Sequence, residues 1–139
     1  MDKAADTSTQ KDYQKYRLLQ ELSGAVGKSR AVGMERLHRA VYGKPLTDKI
    51  NGTRALRRLV TELRRDGVPI CSVSNASGGG YYLASASSDL EDYCRRIRGQ
   101  ALKKLKMEAN LRKMALPALL HQIQLNLDMD YTEVANAEQ

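Results

Sequence analysis

Around Gly67 the period of the chain changes, and that change limits the folds open to it. From Asn51 to Gly67 the apolar residues Leu56, Leu59, Val60 and Leu63 recur at helical spacing and make one stripe. With about 100° between successive residues, Arg54, Arg58, Thr61 and Arg65 point to the opposite side, with Arg57 and Arg64 on one flank. Gly67 suits the position just past a helix end. Beyond it, Val68-Pro69-Ile70-Cys71-Ser72-Val73 reads as a strand, with Pro69 tolerable only at its start or on an edge. Ser74 to Gly80 reads as a flexible hairpin tip and Tyr81-Tyr82-Leu83 as the returning strand.

A one-striped helix and a small hairpin need other elements to bury against, and the preceding sequence supplies them. From Lys11, Tyr13, Tyr16, Leu18, Leu19 and Leu22 predict a first helix, ended by Gly24 and Gly27. A loop through Ser29 and Gly33 follows. Met34, Leu37 and Val41 then predict a short helix from Met34 to Tyr42, closed by Gly43 and Pro45. Thr47, Asp48 and Asn51 are all candidate caps for the third helix. From Ser88 the chain is helical again, with Leu90, Cys94, Ile97, Ala101, Leu105 and Leu111 on a stripe. Pro117 interrupts it, and Leu116, Leu119, Leu120, Ile123 and Leu127 form a second stripe. The expected organisation is a flexible N-terminus (1–10), a globular domain (11–85), a C-terminal helical region for packing or dimerisation (86–129) and a tail (130–139). The fold class is mainly α with a small β-hairpin.

The 139-residue chain has no Trp and no Phe, so its core has to be aliphatic, with Tyr as the sole aromatic area. Its formal net charge of +7 favours polyanions as partners. No Lys or Arg follows Lys113, so the surplus belongs to the part before it. The first twelve residues lack the apolar run of a signal peptide, and no stretch approaches the roughly 20 apolar residues of a membrane span. Cys71 and Cys94 make no disulfide framework and are expected to be packing residues. A reducing cytoplasm is the expected compartment.

Two phrases carry a family likeness. Leu63-Arg64-Arg65-Asp66-Gly67-Val68-Pro69-Ile70 ends the third helix and enters an edge strand, and Gly79-Gly80-Tyr81-Tyr82-Leu83 closes the hairpin. Together, after three helices, they resemble the winged helix-turn-helix of DeoR/biotin-repressor-like proteins, over about Lys11 to Ala84. The stretch from Gly43 to Thr53 is longer than the usual turn between the second and third helices. The resemblance implies a DNA-binding regulator of the bacterial or phage kind. It also implies a wing beside a recognition helix, and dimerisation through appended helices.

The residues support that expectation on physical grounds. An α-helix fits the major groove, and an arginine fork pairs with guanine or grips phosphate. Arg54, Arg57, Arg58 and Thr61 are therefore assigned to bases or their surroundings, and Lys49, Arg64 and Arg65 to phosphates. Thr53 joins the DNA-contact set, and Gly78 and Gly79 let the wing backbone approach DNA. Double-stranded DNA is the expected partner, without cofactor or metal. The C-terminal stripes hold more apolar residues than one small domain has surface to cover, which favours a homodimer, although an intramolecular hairpin hinged at Pro117 remains open. A different class of reading is a protein-interaction scaffold or an accessory subunit of a replication or recombination assembly.

Other motifs carry less. Gly27-Lys28-Ser29 resembles the end of a phosphate-binding loop, but Leu22 stands where that loop needs glycine. His38, His121, Cys71 and Cys94 lack metal-site spacing. Tyr81 and Tyr82 point to opposite faces of a strand, so at most one would stack on a nucleobase while the other enters the core. No acid pair or nucleophile–base set indicates an enzyme.

Overall fold

A computed structural model describes the backbone of residues 3–74 and 79–137 and the side chains of residues 7–74 and 79–130. The protein is mainly helical with one small antiparallel sheet. In order come α1 (Lys3–Leu22), a 3-10 turn (Lys28–Arg30), α2 (Met34–Tyr42), α3 (Lys49–Arg65), β1 (Ile70–Val73), β2 (Gly80–Leu83), α4 (Ser87–Leu111) and α5 (Leu116–Ala137). The chain divides into two compact units, Met1–Tyr93 and Cys94–Gln139. Among the described residues no helix is long and apolar enough to cross a membrane.

The core of the first unit is aliphatic. Leu18 and Leu22 of α1, Leu37 and Val41 of α2, Leu56, Leu59, Val60 and Leu63 of α3, and Ile70 of β1 form one buried cluster. The third helix therefore buries the stripe its sequence predicts. Asp48 caps it, accepting the amides of Ile50 at 3.0 Å and Asn51 at 3.2 Å, while the Asn51 amide group donates back at 2.8 Å. Those bonds from Asn51 and Ile50 hold the Asp48 carboxyl below its ordinary pKa. At the other end Val68 N–H donates to the Leu63 carbonyl and Gly67 N–H to that of Arg64, each at 3.0 Å, with Gly67 at φ 91. That double closure satisfies the orphan carbonyls and turns the chain into the hairpin.

The hairpin pairs Ile70 with Leu83, Cys71 with Tyr82, Ser72 with Tyr81 and Val73 with Gly80. Its second edge is occupied as well. Val32 and Tyr81 exchange both backbone bonds at 2.8 and 2.9 Å, the Leu83 amide donates to Ala25 and the Gly27 amide to Leu83. The stretch expected as a plain loop thus lines the outer edge of β2. Gly80 makes this closeness possible, because a Cβ there would stand 2.3 Å from the Val32 carbonyl oxygen. Tyr82 is buried and Tyr81 packs partly against the core.

Several expectations are corrected. Residues from Lys3 to Gln10 are helical rather than a flexible lead: α1 runs on unbroken, and Lys11 and Lys15 tie it to Glu62 of α3. The expected tail from residue 130 continues as α5 to Ala137, since nothing in Tyr131–Ala137 breaks a helix. Cys71 is buried, but Cys94 is exposed.

In the second unit α4 ends in the same double closure as α3. Met114 N–H reaches the Ala109 carbonyl at 3.0 Å and Lys113 N–H that of Asn110 at 3.1 Å, with Lys113 left-handed at φ 54. Ala109 and Leu119 are buried beside this turn, and Pro117 sits in the first turn of α5, where a missing N–H is harmless. Most other large apolar residues here are exposed, including Ile97, Leu102, Leu111, Leu120, Leu125 and Leu127.

Candidate nucleic-acid interface

The outward side of α3 borders an open groove of about 530 Å³. Lys49, Arg54, Arg57, Arg58, Thr61 and Arg65 all line it. The sequence brings them together because each is offset from the buried stripe on a single helix. A second concavity of about 590 Å³ shares Lys49, Thr53 and Arg57 with the first. It extends them to Gly33, Met34 and Glu35 at the start of α2 and to Gly79 at the tip end of β2. Gly79 is at φ 108, with room for no side chain, since a Cβ would meet the Val73 carbonyl oxygen at 2.3 Å. Gly78 lies outside the described residues.

The cations of this face are not neutralised from within. Among the described residues, Arg57, Arg58 and Arg65 take part in no ion pair and no side-chain hydrogen bond, and Arg54 acts on Asp48 only through its charge. The acid bordering the groove, Glu62, is held instead by Lys11 and, at 3.2 Å, by Lys15. Hydrogen bonding from Lys11, then from Lys15, holds its carboxyl below the ordinary glutamate range. Lys15 also stands 3.9 Å from Asp66. These α1 lysines offset carboxylates that would otherwise weaken the positive potential along α3.

Two predicted contacts have other work. Arg64 turns inward: its Nε donates to the Ile70 carbonyl at 2.8 Å and a terminal nitrogen to the Tyr93 hydroxyl at 2.7 Å. The guanidinium lies 5.7 Å from the Tyr81 ring centre and 5.4 Å from that of Tyr93. It fastens α3 to β1 and to the start of α4, so its assignment to phosphate is withdrawn. The flank position that suggested exposure is where the returning hairpin and α4 arrive. Thr53 is only 9% exposed, and its hydroxyl donates to the Lys49 carbonyl. It floors the groove and has no spare proton for a base. Thr61 stays exposed, with its hydroxyl donated to the Arg57 carbonyl at 2.9 Å.

One residue on this face escaped the sequence reading. Ile50 lines the groove and is 72% exposed. Its signal was present as spacing: Ile50, Arg54, Arg57 and Thr61 follow at four, three and four. Elsewhere, His38 is partly buried, with Nδ1 3.1 Å from the Lys44 carbonyl and its ring 4.7 Å from that of Tyr42. Among the described residues no set of three His, Cys, Asp or Glu side chains is placed to hold a metal ion. Comparison with family models, with curated proteins and with solved structures returns no match to this chain.

Proposed function

We propose that this protein is a winged helix-turn-helix that binds duplex DNA as a transcriptional regulator, with α3 in the major groove and the hairpin as a wing against the backbone. The observation that carries this reading is the groove along α3, lined by five basic side chains that have no intramolecular ion pair among the described residues. The element order of three helices and then a hairpin, with the segment before α2 paired along the hairpin's outer edge, supports the winged arrangement. Arg54, Arg57 and Arg58 are the candidates for base edges, and Lys49 and Arg65 for phosphates. Selection of bound duplexes from a random pool tests the reading. A reproducible sequence supports it, and a pool no different from the input overturns it.

The same reading includes a homodimer formed by the C-terminal helices. The apolar residues of α4 and α5 beyond Cys94 are largely exposed, and their flanks are charged oppositely. Arg95, Arg96, Arg98, Lys103, Lys104 and Lys106 lie on α4, whereas α5 carries Asp128, Asp130 and Glu133 and no Lys or Arg. A second copy supplies both an apolar cover and the complementary sign, and its two-fold symmetry would match palindromic half-sites. Sedimentation equilibrium should give a dimer that Leu120→Glu with Leu127→Glu converts to monomer. A wild-type monomer at the concentrations that bind DNA contradicts it.

A further inference from the structure

Ile50 has no structural reason to be isoleucine. It sits in the first turn of α3, outside the stripe that enters the core, with most of its surface in water. A lone exposed aliphatic residue is ordinary. What sets this one apart is its position, among Lys49, Arg54, Arg57 and Arg58 on the wall of a single groove. Around the helix axis, Ile50, Arg54, Arg57 and Thr61 fall within an arc of roughly 60°, so whatever meets the arginines also meets the isoleucine.

The placement is also rigid. The Ile50 amide is fixed on the Asp48 carboxylate at 3.0 Å, and a β-branched side chain in a helix keeps one dominant rotamer. The helix start is the end of a recognition helix that approaches base edges. Phosphate oxygens give an aliphatic side chain nothing. Among major-groove base edges the apolar group is the pyrimidine 5-methyl of thymine, which 5-methylcytosine shares.

We infer that Ile50 is a specificity-determining residue that packs on a pyrimidine 5-methyl group, normally thymine's, beside the bases read by Arg54 and Arg57. The inference rests on the proposal that α3 binds duplex DNA, and its test separates the two. Once a binding sequence has been selected, each thymine is replaced in turn by deoxyuracil, which removes only the methyl group. For the wild type, one thymine per half-site should lose about 4-fold in affinity on replacement, the value of one methyl group returned to water. Ile50→Ala should bind the thymine site more weakly and show no further loss with uracil there, whereas Ile50→Val should keep most of the penalty. Its salt dependence should match the wild type, because no charge is removed. A 5-methylcytosine·guanine pair at that position should bind better than cytosine·guanine if the methyl itself is the recognised group, and equal binding contradicts this. Circular dichroism of Ile50→Ala should match the wild type, as expected for an exposed position. Identical uracil penalties in wild type and Ile50→Ala overturn the assignment while leaving DNA binding intact. Failure to bind any duplex strikes the parent proposal and this one together.

Discussion

Up to Tyr93 and from Cys94 onward the chain uses similar amphipathic patterns and reaches opposite outcomes. In the first unit Leu18, Leu22, Leu37 and Leu56 are fully buried, because α1, α2, α3 and β1 converge on one cluster. Five of the basic residues left outside line one groove along α3. In the second unit Leu111 is 79% exposed and Leu127 51%, and among the described residues burial is confined to Ala109 and Leu119 at the turn. An apolar stripe thus states that a face needs covering and leaves open what covers it. Where four elements meet, the cover lies within the chain. In the second unit most of the described apolar residues stay exposed, which is the physical basis for proposing a second copy.

The contrast can be broken most sharply at the core. Leu56→Ala should destabilise the first unit by about 3 kcal/mol, read as a shift of the urea midpoint with little change in slope. A much smaller loss would mean that the cluster is loosely packed and that the two regions differ less than described. Arg64→Ala should cost about 2 kcal/mol of stability by removing bonds from a charged donor to Ile70 and Tyr93, while the salt dependence of DNA binding stays unchanged. A lower salt slope with unaltered stability would return Arg64 to the phosphate contacts.

Acid should act through the caps. The Asp48 carboxyl, held low by its bonds from Asn51 and Ile50, contributes stability that is present above the ordinary carboxylate range near pH 4 and is lost as pH falls through the lowered folded value. Thermal midpoints of wild type and Asp48→Ala should therefore differ at neutral pH and converge in acid; a gap that persists unchanged in acid contradicts the cap. The smallest effect belongs to the second unit. Lys113→Gly should stabilise its turn by about 0.5–1 kcal/mol, because glycine adopts the left-handed conformation without strain. Hydrogen exchange at Met114 reports it, since that amide closes the turn.

Most of the element order was legible because local chemistry and packing agree. The span from Met34 to Tyr42 and the burial of Leu56, Leu59, Val60 and Leu63 follow directly from spacing and glycine stops. The edge pairing of Val32 with Tyr81 was hidden because it joins residues far apart in sequence through backbone groups alone. Arg64 and Thr53 were misplaced for a related reason. A helical projection gives direction from the axis and carries no information on which neighbours arrive there. Helical spacing also marks Lys113 poorly, since a lysine at a left-handed turn leaves no glycine signal. Ile50 was passed over because an aliphatic residue among arginines breaks the polar pattern used to trace a contact face.

The cations exposed on α3 carry the DNA-binding proposal, and the salt dependence of duplex affinity reads them out. With Lys49 and Arg65 on phosphates, log Kd against log salt should have a slope magnitude of at least about 2 per subunit, falling by about 1 in Arg65→Ala and in Lys49→Ala. Arg58→Ala should in addition lose about 1–3 kcal/mol selectively on the chosen sequence. A slope near zero, or one that none of these substitutions alters, removes α3 from the DNA contact surface.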